Sequence, residues 1–185
     1  MSLIYYEVPP TAGLPLKLRD FVPSTYSLEK KLSRFIGTHH VQIECSATAA
    51  IVVALSSLKK LSPKKKVIIS AYTCPWVAIA IIHCGLEPVV CDSKNDHFDF
   101  DLQELRISLN HDILAIIPTH LAGKIADVKK ILPLAKKYGA FVIEDGAQAL
   151  GARTKNQSVG LDRKSTRLNS SHTDISRMPS SACKK

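Results

Sequence analysis

Residues 141–151 read Phe-Val-Ile-Glu-Asp-Gly-Ala-Gln-Ala-Leu-Gly. An apolar run with two β-branched residues leads straight into two carboxylates and a glycine, the pattern of a short buried strand that ends in charge. A strand apolar on both faces belongs in a parallel sheet covered by helices. The carboxyl ends of such strands are where open α/β sheets hold their ligands. Just upstream, residues 128–138 have the amphipathic period of a helix and close at Gly139, and Ile113–Ile117 is a second wholly apolar run.

The same alternation continues back along the chain. A helix is expected from Asp101 to about Leu109, a strand at Pro88–Cys91, and a helix from Pro75 to about His83 with Gly85 behind it. Further upstream come a strand at Val67–Ser70, a helix over Ala47–Leu61 and a strand at Val41–Cys45. Leu28, Leu32 and Ile36 lie four apart on a helix that Ser27 can cap and Gly37 can end. The leader, residues 1–24, contains Pro9, Pro10, Pro15 and Pro23 and reads as an extended arm. Residues 25–161 are therefore expected to form an α/β domain with a mostly parallel sheet.

Composition agrees with one soluble domain: 185 residues, 45% of them hydrophobic, with no apolar run long enough to cross a bilayer. The start, Met-Ser-Leu-Ile-Tyr-Tyr, is not a secretory signal, so a cytoplasmic location is expected. Cys45, Cys74, Cys84, Cys91 and Cys183 show no metal-ligand spacing, and the first, third and fourth lie in apolar segments, reading as reduced core thiols. No metal site is expected.

The net charge of +9 would suggest a nucleic-acid partner, but six of the basic residues fall in residues 162–185 and no recognised binding motif accompanies them. That last stretch has few large apolar residues and no period, the composition of a disordered tail. Asp162–His172 also resembles a translated sequencing adapter, and Ser176–Ala182 the far end of that adapter, with Thr173, Asp174 and Ile175 spanning its index. The expectation is that residues 162–185 are an artefact and that the natural reading frame is interrupted near Leu161, leaving a fragment.

Four stretches that follow strands carry side chains able to do chemistry. Ser46-Ala47-Thr48 opens a helix whose free N–H groups and dipole suit a phosphate, with the Thr48 hydroxyl as a further donor. Simple capping by Ser46 explains the same residues equally well. Asp145 can hold a protonated ring nitrogen, with Gln148 three residues on to bond a ring substituent. The plainer alternative is that Asp145 caps a following helix and Gln148 faces solvent. Tyr72 or Trp76 can stack on a flat ligand or belong to the core, and His120 can face a pocket or be structural.

In combination these stretches resemble one family. Cys45-Ser-Ala-Thr-Ala-Ala resembles its S-G-T-A-A-L helix start, and Ser70-Ala-Tyr-Thr with Cys84-Gly-Leu-Glu-Pro-Val-Val-Cys-Asp92 its Y-T…A-G-x-x-P-V-x-x-D segment. Asn95–Leu105 resembles N-x-D-P-x-x-L. Pro118-Thr-His-Leu-Ala-Gly-Lys-Ile-Ala-Asp127 resembles P-x-H-L-x-G-x-x-A-D, and Val142–Gly151 resembles V-I-E-D-x-A-Q-A-x-G. The chain thus resembles the DegT/DnrJ/StrS sugar aminotransferases over roughly residues 25–160. The resemblance implies fold type I, here as a truncated large domain, with pyridoxal 5'-phosphate as cofactor.

It also implies roles: Ala47 and Thr48 on the cofactor phosphate, Asp145 on the pyridinium nitrogen, and Gln148 near the ring's phenolic oxygen. Ala47 stands where the family has glycine, and Cys74 where many members have the stacking aromatic, which leaves Trp76 as the candidate to replace it. The implied reaction is transamination of a nucleotide-linked keto sugar by an amino-acid donor, in a homodimer, with no membrane or nucleic-acid partner. The Schiff-base lysine of the family's S-x-x-P-x-K motif is absent from this chain, so no catalytic residue is assigned and the chain as written is expected to be inactive. Two other readings stay open: a dehydratase of the same family with histidine for that lysine, and a non-catalytic α/β ligand-binding module.

Overall fold

The computed structural model describes residues 18, 22, 27–122, 124–149, 152–154, 157–158, 166–170 and 174–176. The expected arm, residues 1–24, therefore lies almost wholly outside the described residues. Five helices alternate with strands. They are α1 (Leu28–Ile36), β1 (Gln42–Glu44), α2 (Ala47–Leu61), β2 (Lys66–Ser70), α3 (Pro75–His83), β3 (Glu87–Cys91), α4 (Leu102–Ser108), β4 (Ile113–Ile117), α5 (Val128–Tyr138) and β5 (Phe141–Asp145). A small hairpin follows, β6 (Arg153–Thr154) with β7 (Gln157–Ser158), and then β8 (Thr166–Ser170) and β9 (Asp174–Ser176).

Local chemistry sets the helix ends. Ser27, Ser46 and Asp101 each accept an N–H from the first turn of the helix that follows. Gly37 and Gly139 close α1 and α5 at φ 82° and 62°, where a Cβ would be strained. Pro75 stands at the first position of α3, where its missing N–H costs nothing.

The sheet order is β1-β9-β8-β5-β4-β2-β3. Strands β3, β2, β4, β5 and β8 are parallel neighbours, while β9 runs antiparallel to both β8 and β1. Two reversals restore direction, so β1 runs the same way as β5. The carboxyl ends of β1, β2, β3, β4 and β5 consequently share one edge of the sheet. The chain forms a parallel α/β layer as its apolar runs predict, with helices on both faces.

One face is covered by α2 and α3, burying Ala50, Ile51, Leu55, Ile81, Leu114 and Ile143 together. The other is covered by α4 and α5 over Ile68, Phe100, Leu105, Ile116 and Ile131. All five residues of β4 are buried. Burying each large aliphatic side chain contributes about 1.5–3 kcal/mol, so these two layers dominate the stability of the domain.

Two sequence expectations need correction. Cys45 is exposed, as is Cys74; among the described residues only Cys84 and Cys91 are core thiols, and Cys183 lies outside them. Cys45 falls one residue past the short β1, at the open sheet edge. Of the tail read as disordered, residues 166–170 and 174–176 form strands. β8 continues the ladder from β5, with Ile143, Glu144 and Asp145 opposite Thr166, Arg167 and Leu168. An open parallel strand presents a row of unsatisfied N–H and C=O groups, and backbone pairing satisfies them without an apolar pattern in the added strand.

Candidate active site

The site is built at the shared carboxyl edge. β5 delivers Asp145 there, 6% exposed, because the apolar run Val142–Ile143 pulls the strand into the core. Burial pushes the Asp145 carboxyl above the ordinary carboxylate range, against the smaller opposing pull of the Ala147 N–H. Its Oδ1 accepts from Ala147 at 3.1 Å. Among the described residues no lysine or arginine pairs with it. A buried carboxylate of this kind has room in its energetics for a cationic ring N–H.

At the same edge β1 leads into α2. Ser46 accepts the Ala49 N–H at 3.1 Å, which is the capping expected of it. The amides of Ala47 and Thr48, first in the helix, have no acceptor within the helix and stay half-buried at its open end. Capping and anion binding are therefore compatible, since Ser46 takes only the third amide.

Gln148 is exposed, and its Oε1 accepts the Ala122 N–H at 3.1 Å. It is thus fixed to the loop between β4 and α5 rather than loose in solvent. With the oxygen engaged, the amide nitrogen is the end left to donate. The residues described after Asp145 form a turn, with Ala149 N–H bonded to the Gly146 carbonyl at 2.9 Å, so Asp145 caps no helix there.

His120 is fully buried. Its Nε2 lies 3.1 Å from Glu144 Oε2, and its Nδ1 accepts the Ala126 N–H at 3.0 Å. Of the two roles open to it from sequence, the structural one is observed. Glu144 is the functional neighbour that sequence reading passed over. The available signal was strand alternation, which sends Glu144 and Asp145 to opposite faces.

Trp76 occupies the second position of α3 and is 60% exposed. The stacked aromatic at this edge is Tyr72, whose ring lies 5.0 Å from that of Phe98 with 26° between planes, and Lys124 Nζ stands 5.6 Å from the Phe98 centroid. Thr73 and Thr119 hydroxyls meet at 3.1 Å between β2 and β4. Sequence reading did not foresee these pairings, which join residues far apart in the chain. A groove of about 760 Å³ lined by Leu132, Pro133 and Phe141 lies at the amino end of β5, the opposite edge, and is not part of this site. Among the described residues no group of three or more His, Cys, Asp and Glu could hold a metal. None of their helices is long and apolar enough to cross a membrane.

The donor set fits pyridoxal phosphate: a buried carboxylate for a ring cation, a helix N-terminus for a phosphate, and an amide nitrogen for a ring oxygen. Comparison with known proteins agrees. The model of the DegT/DnrJ/EryC1/StrS aminotransferase family matches residues 18–168. The spore coat polysaccharide biosynthesis protein SpsC of Bacillus subtilis is 33% identical over 138 residues, 75% of this chain and 35% of that protein. The dTDP-4-amino-4,6-dideoxy-D-glucose transaminase of Escherichia coli is 32% identical over 139 residues, 75% of this chain and 37% of that one. This chain thus spans little more than a third of the length of these relatives.

Among solved structures, S. venezuelae DesV in complex with a ketimine intermediate superposes with a TM-score of 0.76 at 24% identity. The match covers 83% of this chain and 44% of that one, and it speaks to the fold. Spr1654 of Streptococcus pneumoniae, in its PMP form, gives a TM-score of 0.74 at 26% identity, over 80% of this chain and 43% of its own. The fold is that of the fold type I pyridoxal-phosphate enzymes. The chain belongs to the DegT/DnrJ/EryC1/StrS aminotransferase family, whose cofactor is pyridoxal 5'-phosphate.

Proposed function

We propose that this chain is the cofactor-binding portion of an aminotransferase that acts on a nucleotide-linked keto sugar, with an amino acid as donor. The observation that carries the reading is the convergence of the buried Asp145 and the open amino end of α2 at one sheet edge. When bound, pyridoxal phosphate supplies an electron sink that stabilises negative charge on the carbon next to the substrate nitrogen. Asp145 holds the ring nitrogen protonated, Ala47 and Thr48 anchor the phosphate, and Gln148 donates to the phenolic oxygen. Trp76 is proposed as the ring's stacking partner in place of the aromatic that Cys74 replaces. The protein is proposed to be cytoplasmic and homodimeric.

Residues 162–185 are proposed to be foreign to the gene, and the Schiff-base lysine to lie in the natural continuation after about Leu161. This chain alone is then inactive in transamination. The test is a read of the source DNA across the codons for Val159, Gly160 and Leu161. Continuation to a lysine in an S-x-x-P-x-K context supports the aminotransferase. Histidine at that position makes the protein a dehydratase of the same family. Genomic codons for the whole tail overturn both and favour a ligand-binding module.

A further inference from the structure

The loop from Thr119 to Asp127 contains more ordering than a connection between β4 and α5 requires. Ala122 is held at φ 50°, a left-handed conformation that a non-glycine residue rarely adopts and that persists only where neighbours enforce it. Three sets of bonds do so. Lys124 N–H bonds the Leu121 carbonyl at 2.8 Å, Ala122 N–H bonds Gln148 Oε1, and Ala126 N–H bonds His120 Nδ1. The base of the loop is tied to the end of β5, with His120 N–H on the Asp145 carbonyl and Asp145 N–H on the Pro118 carbonyl, both at 2.9 Å.

The imidazole decides whether this arrangement holds. A nitrogen that accepts an N–H carries no proton, so with Nδ1 taken by Ala126 the ring proton sits on Nε2 and is donated to Glu144 Oε2. In the other tautomer Nδ1–H would confront the Ala126 N–H, donor against donor, in a fully buried place. Glu144, also buried, therefore selects the tautomer that the loop needs.

We propose that His120 is a positioning residue: with Glu144 fixing its tautomer, it locks the 120–126 loop so that Ala122 engages the Gln148 oxygen and the Gln148 amide nitrogen is turned toward the ligand. Its last step rests on the cofactor reading above, and the earlier steps do not. Glu144 and Asp145 then work on opposite faces of one strand, one ordering the loop that orients Gln148 and the other facing the ring nitrogen.

The test uses the full 185-residue chain, without cofactor first. In the ¹⁵N spectrum of the His120 ring, one protonated nitrogen, Nε2, and one bare nitrogen, Nδ1, are expected. A protonated Nδ1 or a mixture of tautomers overturns the proposal. In His120→Gln the side-chain amide still reaches Glu144 but offers Ala126 no acceptor in the same place. Amide exchange at Ala126 and Ala122 should then quicken about tenfold or more while Ile116 and Val142 stay protected. Unchanged exchange at Ala122 overturns the relay.

Should that variant lose protection everywhere, the relay is read from its exposed end. Gln148→Ala should quicken exchange at Ala122 and leave the His120 ring spectrum unchanged, and an unaffected Ala122 counts against the proposal. Pyridoxal phosphate is then titrated into wild type and His120→Gln, with weaker binding expected in the variant. Loss of the relay with equal binding overturns the last step. No binding to wild type, with the relay intact, faults the cofactor reading instead.

Discussion

The two sides of β5 are built on different physics. Toward β4 and β2 the strands are apolar runs whose side chains interlock with α2 and α3 on one face and α4 and α5 on the other, with β3 partly exposed at the sheet's edge. Toward β8 and β9 the ladder continues by backbone pairing, with α2 lying against both strands, in a stretch whose sequence carries no strand or helix period. Backbone groups are the same in every residue, so an open strand edge can accept almost any extended segment. Side-chain packing is specific and cannot be satisfied that way. A continued ladder therefore tolerates almost any sequence, whereas a filled core demands a particular one.

The largest effect should come from the packed side. Ile116→Ala removes a fully buried side chain between α4 and α5 and is expected to cost about 2–5 kcal/mol in urea unfolding. Leu168→Pro, in the middle of β8, removes one ladder donor and should cost about 1 kcal/mol or less, with exchange in β4 and β5 unchanged. A loss as large as that at Ile116 would mean that β8 is packed as firmly as β4, and the contrast would fall.

A smaller effect tests the site. The folded-state pKa of Asp145 lies above its unfolded value, so the folded state binds that proton more tightly. The contribution is favourable at low pH and is lost as pH rises through the folded value. At neutral pH the ionised group is a cost, and Asp145→Asn should raise the unfolding midpoint of the cofactor-free chain at pH 7 while flattening its dependence on acid pH. A lower midpoint at pH 7 would show that the carboxylate is already compensated within the chain.

The smallest effect concerns thiols on the packed side. Burial, aided by Glu104, Asp92 and Asp101, pushes the Cys91 thiol up to about 11. Mass spectrometry after brief maleimide treatment at pH 8 should find Cys45 and Cys74 modified, with Cys84 and Cys91 spared. Rapid labelling of Cys91 would contradict the closed layer over β3.

Much of this was legible in the sequence because local patterns coincide with tertiary demands. The run Ile113–Ile117 and the pair Asp145 and Gln148 sit where apolar periodicity and a strand end place them. The helices 47–61, 75–83 and 128–138 have caps and breakers that are local. What was not legible depends on partners distant in the chain: the Glu144 bond to His120, the Ala122 bond to Gln148, and the stacking of Tyr72 on Phe98. The exposure of Cys45 follows from β1 ending one residue earlier than its apolar setting suggests.

The central claim is that the carboxyl edge holds pyridoxal phosphate with its ring nitrogen on Asp145. The most direct measurement is the ¹⁵N spectrum of ring-labelled pyridoxal phosphate titrated into the 185-residue chain and into Asp145→Asn. Saturable binding with a protonated ring nitrogen in the first, and loss of binding or of that proton in the second, is the predicted result. No saturable binding to the wild-type chain, or the same ring signal in both, would contradict the account.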